Sequence, residues 1–419
     1  MNILFINTSD QLGGAAIAAK RLMQALNKEH LKVNMLVRDK TSNDYNVTAI
    51  DQTTKLTYNF LYERFRIWRA NKFNKKNLFA VSLANTGSSI VHLPEFQEAD
   101  IIHLHWFNQG FLSLTELNNI IQSGKPIVWT MHDMWPITGI CHHSRSCTKY
   151  TQECGNCPFL SSNKHKDLSY HTFHKKLAIY KQGKINFVGC SQWLTQKAQT
   201  STLSKEQNCL NIPNPIDTSL YQIANMNACR KEFNLPEDHH LILFGAVKTT
   251  NLRKGIQYFI NACLELRQTS TKPIGIVLYG KDSEQLKDEF TLPTFSLGYV
   301  KDERRLIKLY NAVDIFVLPS LEENLPNSIM EAMSCGTPCV GFNIGGIPEL
   351  IDHLHNGYVA NYKSSTDLAE GMKWTLNSNK NQGLSTESRR KVIENFSEST
   401  IAKKYIDLYN QIIDTNEPR

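Results

Sequence analysis

Glu323 and Glu331 stand eight positions apart in the stretch DIFVLPSLEENLPNSIMEAMSCGTPCVGFNIGGIPEL, residues 314–350. Two carboxylates can work across a scissile bond as acid and base, or they can accept hydrogen bonds from hydroxyl groups. The first use needs a separation that sequence spacing does not supply. The second needs only that both side chains reach one crevice. The surrounding pattern provides one: the apolar run Ile315 to Leu318 stops at Pro319, a polar loop follows, and a helix is predicted from about Asn327. A turn at Cys335 to Pro338 then leads into a second apolar run, Cys339 to Phe342. Such a strand, helix, strand unit belongs to a parallel sheet, whose ligands gather where strands end and helices begin. Glu331 then lies one helical turn in, and Glu323 lies on the loop. Taken alone, the spacing also suits two solvated glutamates at a helix start, where acidic residues are favourable.

The stretch EENLPNSIMEAMSCGTPCV with GGIPELI resembles the signature of the retaining, nucleotide-sugar-dependent glycosyltransferases of family four. The resemblance extends over most of the chain. It implies an α/β GT-B fold, two Rossmann-like domains whose parallel sheets face each other across a cleft. It further implies that Glu331 holds the ribose hydroxyls of a nucleotide-diphosphate sugar, and that Glu323 holds sugar hydroxyls near the anomeric carbon.

A diphosphate needs positive charge and N–H donors. The segment LILFGAVKTTNLRKGIQYF, from Leu241, gives a strand, a loop and a helix, with Arg253 and Lys254 at the helix start, where cations and free amides favour an anion. Backbone amides around Asn324 and Leu325 would add donors. The family carries an Arg directly after the strand glycine; this chain has Ala246 there and keeps Lys254-Gly255. Lys248 and Arg253 are the two candidates to stand in for the missing charge, and the sequence leaves the choice open. Without the resemblance, these cations would read as a solvated loop pair.

The N-terminal half has parallel patterning. NILFIN, residues 2–7, runs into a glycine loop and an apolar-periodic helix, so Gly13 and Gly14 are candidates for backbone approach to a phosphate or an acceptor; a tight packing turn is the alternative. Further strands are predicted at 31–37, 101–106, 126–131 and 185–190. His132 directly follows PIVWTM, at a strand's carboxyl end, and matches the family's histidine, which implies a contact with the sugar. For the family, the leaving phosphate takes the acceptor proton, so no separate base and no catalytic metal is expected.

Cys141, Cys147, Cys154 and Cys157 fall within seventeen residues. Four thiols so close, with Cys154 and Cys157 in a C-x2-C knuckle, can form a structural tetrahedral zinc site. Free thiols in a compact insertion and a labile disulfide are the alternatives.

Residues 55–79, KLTYNFLYERFRIWRANKFNKKNLF, combine seven Lys/Arg with many aromatics. Leu61, Phe65 and Trp68 share a helical face, which suggests a helix on an anionic membrane, where a lipid-linked acceptor would be met. A solvated basic helix packed on its own domain fits equally well.

A chain of 419 residues, 41% hydrophobic and 20% charged, fits two folded domains rather than a disordered segment. Its net charge of +7 suits a UDP- or GDP-sugar or an anionic surface, without calling for nucleic acid. The opening MNILFINTSDQ lacks a signal-peptide pattern, so a cytoplasmic protein, peripheral at the inner membrane face, is expected. The predicted division is residues 1–208, the N-terminal domain with the basic segment 55–79 and the cysteine insertion 141–157. Residues 209–384 form the nucleotide-sugar domain after the linker LNIPNPID, and a terminal helical segment, 385–419, returns to the first domain. The expected function is sugar transfer to a saccharide or lipid-linked acceptor, for a surface polysaccharide. A catalytically silent partner subunit, which Ala246 favours, and another enzyme on the same fold, an epimerase or phosphorylase, are the alternatives.

Overall fold

A computed structural model of the chain describes residues 1–51, 53–162, 164–266 and 272–416. The end of the expected terminal helix, 417–419, lies outside them. The chain divides into two compact units, Met1–Pro215 with Ile401–Arg419, and Ile216–Thr400.

The first unit holds a parallel sheet of β1 (Asn2–Ser9), β2 (Lys32–Asp39), β3 (Val47–Ala49), β4 (Ile101–Leu104), β5 (Ile127–Met131), β6 (Asn186–Gly189) and β7 (Asn208–Asn211), in the order β3-β2-β1-β4-β5-β6-β7. The second holds β8 (His240–Lys248), β9 (Ile274–Lys281), β10 (Thr294–Ser296), β11 (Ile315–Leu318), β12 (Cys339–Phe342) and β13 (Gly357–Ala360), ordered β10-β9-β8-β11-β12-β13 and again parallel. Helices cover both faces of such sheets, so the strands read as nearly unbroken apolar runs. β4, β5, β11 and β12 are buried along their whole length.

In each sheet the strand order reverses once, at β1/β4 and at β8/β11. Beyond the carboxyl ends at such a reversal, the flanking loops diverge and leave a crevice. The loops after β1 and β4, and those after β8 and β11, therefore occupy the ligand positions of their own units.

The boundaries differ from those expected. The first unit runs past β7 to Pro215, and the helix Leu384–Phe396 belongs to the second unit, so the return to the first begins at Ile401 rather than Ser385. Backbone pairing explains this. Ile216 N–H donates to Phe396 O (2.9 Å) and Ile216 O accepts from Glu398 N–H (3.2 Å), which fastens both ends of the second unit together. From Ile401, the last helix packs Ile401, Tyr405, Leu408, Tyr409 and Ile412 into the core beneath β1, β2 and β4. The sequence patterning missed β3, a three-residue edge strand, and β7, which follows the helix Gln192–Thr200.

Candidate functional site

In the second unit, three loops at the carboxyl end of the sheet are fastened together by glycines and cross-loop bonds. Gly255 ends the turn after β8 with φ 73°, a conformation that favours glycine, and a Cβ there would come within 1.8 Å of Pro319 O on the loop after β11. That contact brings the two loops into register. Leu321 N–H donates to Arg253 O (2.8 Å), Arg253 Nη1 donates to Glu322 O (2.7 Å), and Lys254 Nζ lies 2.6 Å from Glu323 Oε2. The loop after β12 supports the segment from behind. Gly345, at φ 58°, is where a Cβ would strike Glu323 O at 1.9 Å, and Gly346 N–H donates to Asn324 O (2.6 Å). Asn324 and Leu325 are buried in this junction.

Glu331 lies in the helix Asn327–Ser334, one turn from its start, and is buried. Tyr310 Oη donates to Glu331 Oε2 (3.1 Å), and Tyr279 Oη lies 3.2 Å from Tyr310 Oη. The Tyr279 ring occupies the space a side chain at position 245 would fill, with a Cβ on Gly245 only 1.7 Å from it. Burial raises both phenols, Tyr310 well above the ordinary range, so they are neutral donors at any physiological pH. Sequence reasoning missed both tyrosines; no motif connects the end of β9 and the helix Glu303–Asn311 to Glu331.

The structure thus brings Arg253, Lys254, Glu323, Asn324 and Leu325 into one loop cluster. It does not bring Lys248 there. That side chain is largely exposed and pairs with Asp282 Oδ2 at 3.5 Å, beside the end of β9. Of the two cations left open by Ala246, Arg253 is the one in the cluster.

In the first unit, Gly13 caps the helix Gly14–Lys28 with φ 93°, and a Cβ on it would meet nothing within 4 Å. Its requirement is conformational, and the backbone there borders open space.

His132 follows β5 in a column of three histidines. The rings of His103 and His105 stack with centroids 4.3 Å apart, those of His105 and His132 at 5.3 Å, and His105 Nδ1 lies 3.0 Å from His132 Nε2. Burial pushes His132 down to about 4, against the opposing pull of Asp133, and pushes His103 and His105 well below the ordinary range. All three are neutral imidazoles near pH 7. They suit hydrogen bonding to hydroxyls rather than charge pairing with phosphate. The base of the column is fixed by His103 Nδ1 to Tyr409 Oη and His103 Nε2 to Thr130 Oγ1, both 2.7 Å.

Asp133 holds its neighbourhood rigid. Its Oδ2 accepts from Trp106 Nε1 (2.8 Å) and His142 Nδ1 (2.7 Å), and its Oδ1 accepts from Trp135 N–H (2.8 Å). Burial alone would raise this carboxyl, but His142 and its hydrogen bonds win and bring it to about 2. Ser82 Oγ lies 2.9 Å from His142 Nε2, which completes a Ser-His-Asp connection. Ser82 is fully buried, so no substrate reaches its hydroxyl, and the chain of bonds is a structural brace.

Comparison with known proteins agrees with this geometry. Residues 238–378 match the family model described as "Glycosyl transferases group 1". A protein of Escherichia coli, WcaC, named for colanic acid biosynthesis glycosyl transfer, is 24% identical over 84% of this chain and 85% of its own length. The Escherichia coli UDP-Gal:alpha-D-GlcNAc-diphosphoundecaprenol alpha-1,3-galactosyltransferase is 25% identical over 48% of this chain and 54% of its own. Anabaena HepE, solved in complex with UDP-glucose, superposes with a TM-score of 0.65 at 14% identity, over 98% of this chain and 100% of its own, a likeness of fold.

Proposed function

We propose that the chain, whose residues 238–378 match the glycosyl transferases group 1 model, is a glycosyltransferase of GT-B fold, and that its residues divide the work as follows. It transfers a sugar, with retention at the anomeric carbon, from a nucleotide-diphosphate donor to a saccharide or lipid-linked saccharide of a surface polysaccharide. The relatives named for colanic acid biosynthesis and for a diphosphoundecaprenol acceptor support the second half of this reading.

The observation that carries it is the ion pair of Lys254 with Glu323 at a β11 strand end, one short loop from Glu331. Glu331 accepts the ribose hydroxyls, steadied by Tyr310. Lys254, Arg253 and the amides near Asn324 and Leu325 face the diphosphate. Negative charge grows there as the glycosidic bond breaks, so donors already in place stabilise the transition state more than the bound donor. This arrangement calls for no catalytic metal. Glu323 holds sugar hydroxyls while orienting Lys254. In the first unit, neutral His132 offers a hydrogen bond to a substrate hydroxyl, and the Gly13-Gly14 backbone offers approach to a substrate oxygen.

The basic aromatic segment is assigned to an anionic membrane surface. Its helix, Thr53–Ala70, buries Leu56, Asn59, Glu63 and Ile67 and exposes Tyr58, Leu61 and Phe65. Trp68 is half-buried, so it contributes less to that face than the helical spacing suggests. Among the described residues, no helix is long and apolar enough to cross a membrane.

Retention is tested by NMR of the sugar first released from α-linked UDP- and GDP-sugars in the absence of acceptor. The α anomer is expected; the β anomer would overturn retention. Failure to bind or turn over any donor would favour the silent-subunit reading.

A further inference from the structure

The four cysteines of residues 141–157 take no part in the chemistry above, yet the fold collects them. Cys141, Cys147, Cys154 and Cys157 all line one small cavity of about 20 Å³, room for a single ion or water. None is in a disulfide. The loop that carries them packs on its own small core, in which Cys141 and Cys157 lie with Ile67, Val81, Leu83, Ile140, Phe159 and Leu160.

Backbone amides are already aimed at two of the sulfurs. Gly139 N–H donates to Cys154 Sγ at 3.3 Å, and Phe159 N–H bonds Cys157. Burial dominates and raises both thiols, Cys154 to about 11 and Cys157 to about 12, and these bonds oppose it. The knuckle is built tightly. Asn156 takes φ 45°, Cys157 N–H donates to Asp167 Oδ2 (2.7 Å), and Lys149 Nζ holds Gly155 O (2.9 Å) and Asn156 O (2.8 Å). Gly139 permits the approach, since a Cβ there would lie 3.0 Å from Cys154 Cβ.

The charges around the cavity point the same way. Lys176 is fully buried, and its ammonium donates to Trp135 O and Thr138 O with no carboxylate ion pair among the described residues. A buried lone cation is costly unless a negative group lies near. Burial lowers Lys176 well below its ordinary range, and the groups that oppose this are Cys154, then Cys141, then Asp133. Four thiolates on a divalent cation carry a net double negative charge, which Lys176 and the cavity-lining Lys149 offset. As placed, no three ligand-type side chains among the described residues stand close enough to hold a metal. A tetrahedral zinc site requires the sulfurs to move in to about 2.3 Å from the metal.

We propose that Cys141, Cys147, Cys154 and Cys157 bind one zinc ion as a tetrahedral structural site that holds the 139–157 segment against the helix Thr53–Ala70. On binding, each thiol releases its proton to solvent and no electron moves.

The test is elemental analysis of the full chain purified without added metal, together with zinc release by a mercurial reagent and a zinc K-edge spectrum. About one zinc per chain, four sulfur neighbours and loss of the metal in Cys154→Ser/Cys157→Ser are expected. Should that variant not fold, the release and the spectrum of the wild type decide. Well below one equivalent with no uptake of added zinc, oxygen or nitrogen neighbours, disulfides among the four cysteines (six rather than all ten thiols titratable in the non-reduced unfolded chain), or full zinc retention in the folded variant would each overturn the site.

Discussion

Lys254 and Glu323, 69 positions apart, meet at 2.6 Å and join the loop after β8 to the loop after β11. Both side chains are mostly buried, at 19% and 14% exposure, so the pair is worth more than a surface ion pair. Lys254→Ala should cost about 1–3 kcal/mol of stability, because the mostly buried Glu323 carboxylate loses this ion pair. A double-mutant cycle with Glu323→Gln in urea unfolding measures the coupling. Glu323→Gln should leave nucleotide affinity within about threefold while lowering turnover, since the proposed function gives its contacts to the sugar hydroxyls; additive stabilities and equal turnover would contradict this role of the pair.

Tyr310 is fully buried and donates to Glu331. Tyr310→Phe keeps the ring and removes only the hydroxyl that donates to Oε2. The expected loss is about 1 kcal/mol, one net hydrogen bond, expressed mainly as weaker nucleotide binding. Binding calorimetry checks this, with thermal melting as the control. A variant that melts lower but binds nucleotide unchanged would mean that Tyr310 supports packing alone.

The histidine column gives a pH dependence of known sign. With His132 at about 4 in the fold against 6.5 ordinarily, the unfolded chain binds a proton across that window that the folded chain refuses. Stability therefore falls as pH drops from 6.5 toward 4, by at most ~1.4 kcal/mol per pH unit for this one group. Asp133, lowered to about 2, contributes stability that is lost only below its ordinary 3.8. Melting temperatures between pH 7.5 and 5 should fall for the wild type, and less steeply for His132→Asn. Equal slopes would contradict the assignment.

The exposed face of the helix Thr53–Ala70 and the lysines beyond it should bind anionic vesicles. Reversing Arg69, Lys75 and Lys76 to Glu, or replacing Leu61 and Phe65 with Ser, should each lower co-sedimentation with phosphatidylglycerol vesicles severalfold, the first set also abolishing its salt dependence. Unchanged binding in both sets would return the segment to the ordinary surface.

Much of this was legible in the sequence because buried parallel strands write themselves as apolar runs with glycine or proline at their ends. The run Ile315 to Leu318 and the loop carrying Glu323 are read directly. What escaped depends on contacts between distant segments. Nothing near Glu331 names Tyr310 or Tyr279, and contacts between distant segments, such as Ser388 Oγ with Asn356 O and Ile216 with Phe396 and Glu398, keep the helix Leu384–Phe396 with the second unit. Lys248 and Arg253 look interchangeable as letters; the bulge between Gly245 and Lys248 and the partner Asp282 separate them.

The central claim, that a nucleotide diphosphate binds at Glu331 and Lys254, is tested most directly by calorimetry with UDP, GDP and ADP on the wild type, Glu331→Gln and Lys254→Ala. One nucleotide should bind the wild type, and each substitution should weaken it at least tenfold, about 1.4 kcal/mol. Wild-type affinity in both folded variants, or no binding of any nucleotide to the folded wild type, would contradict it.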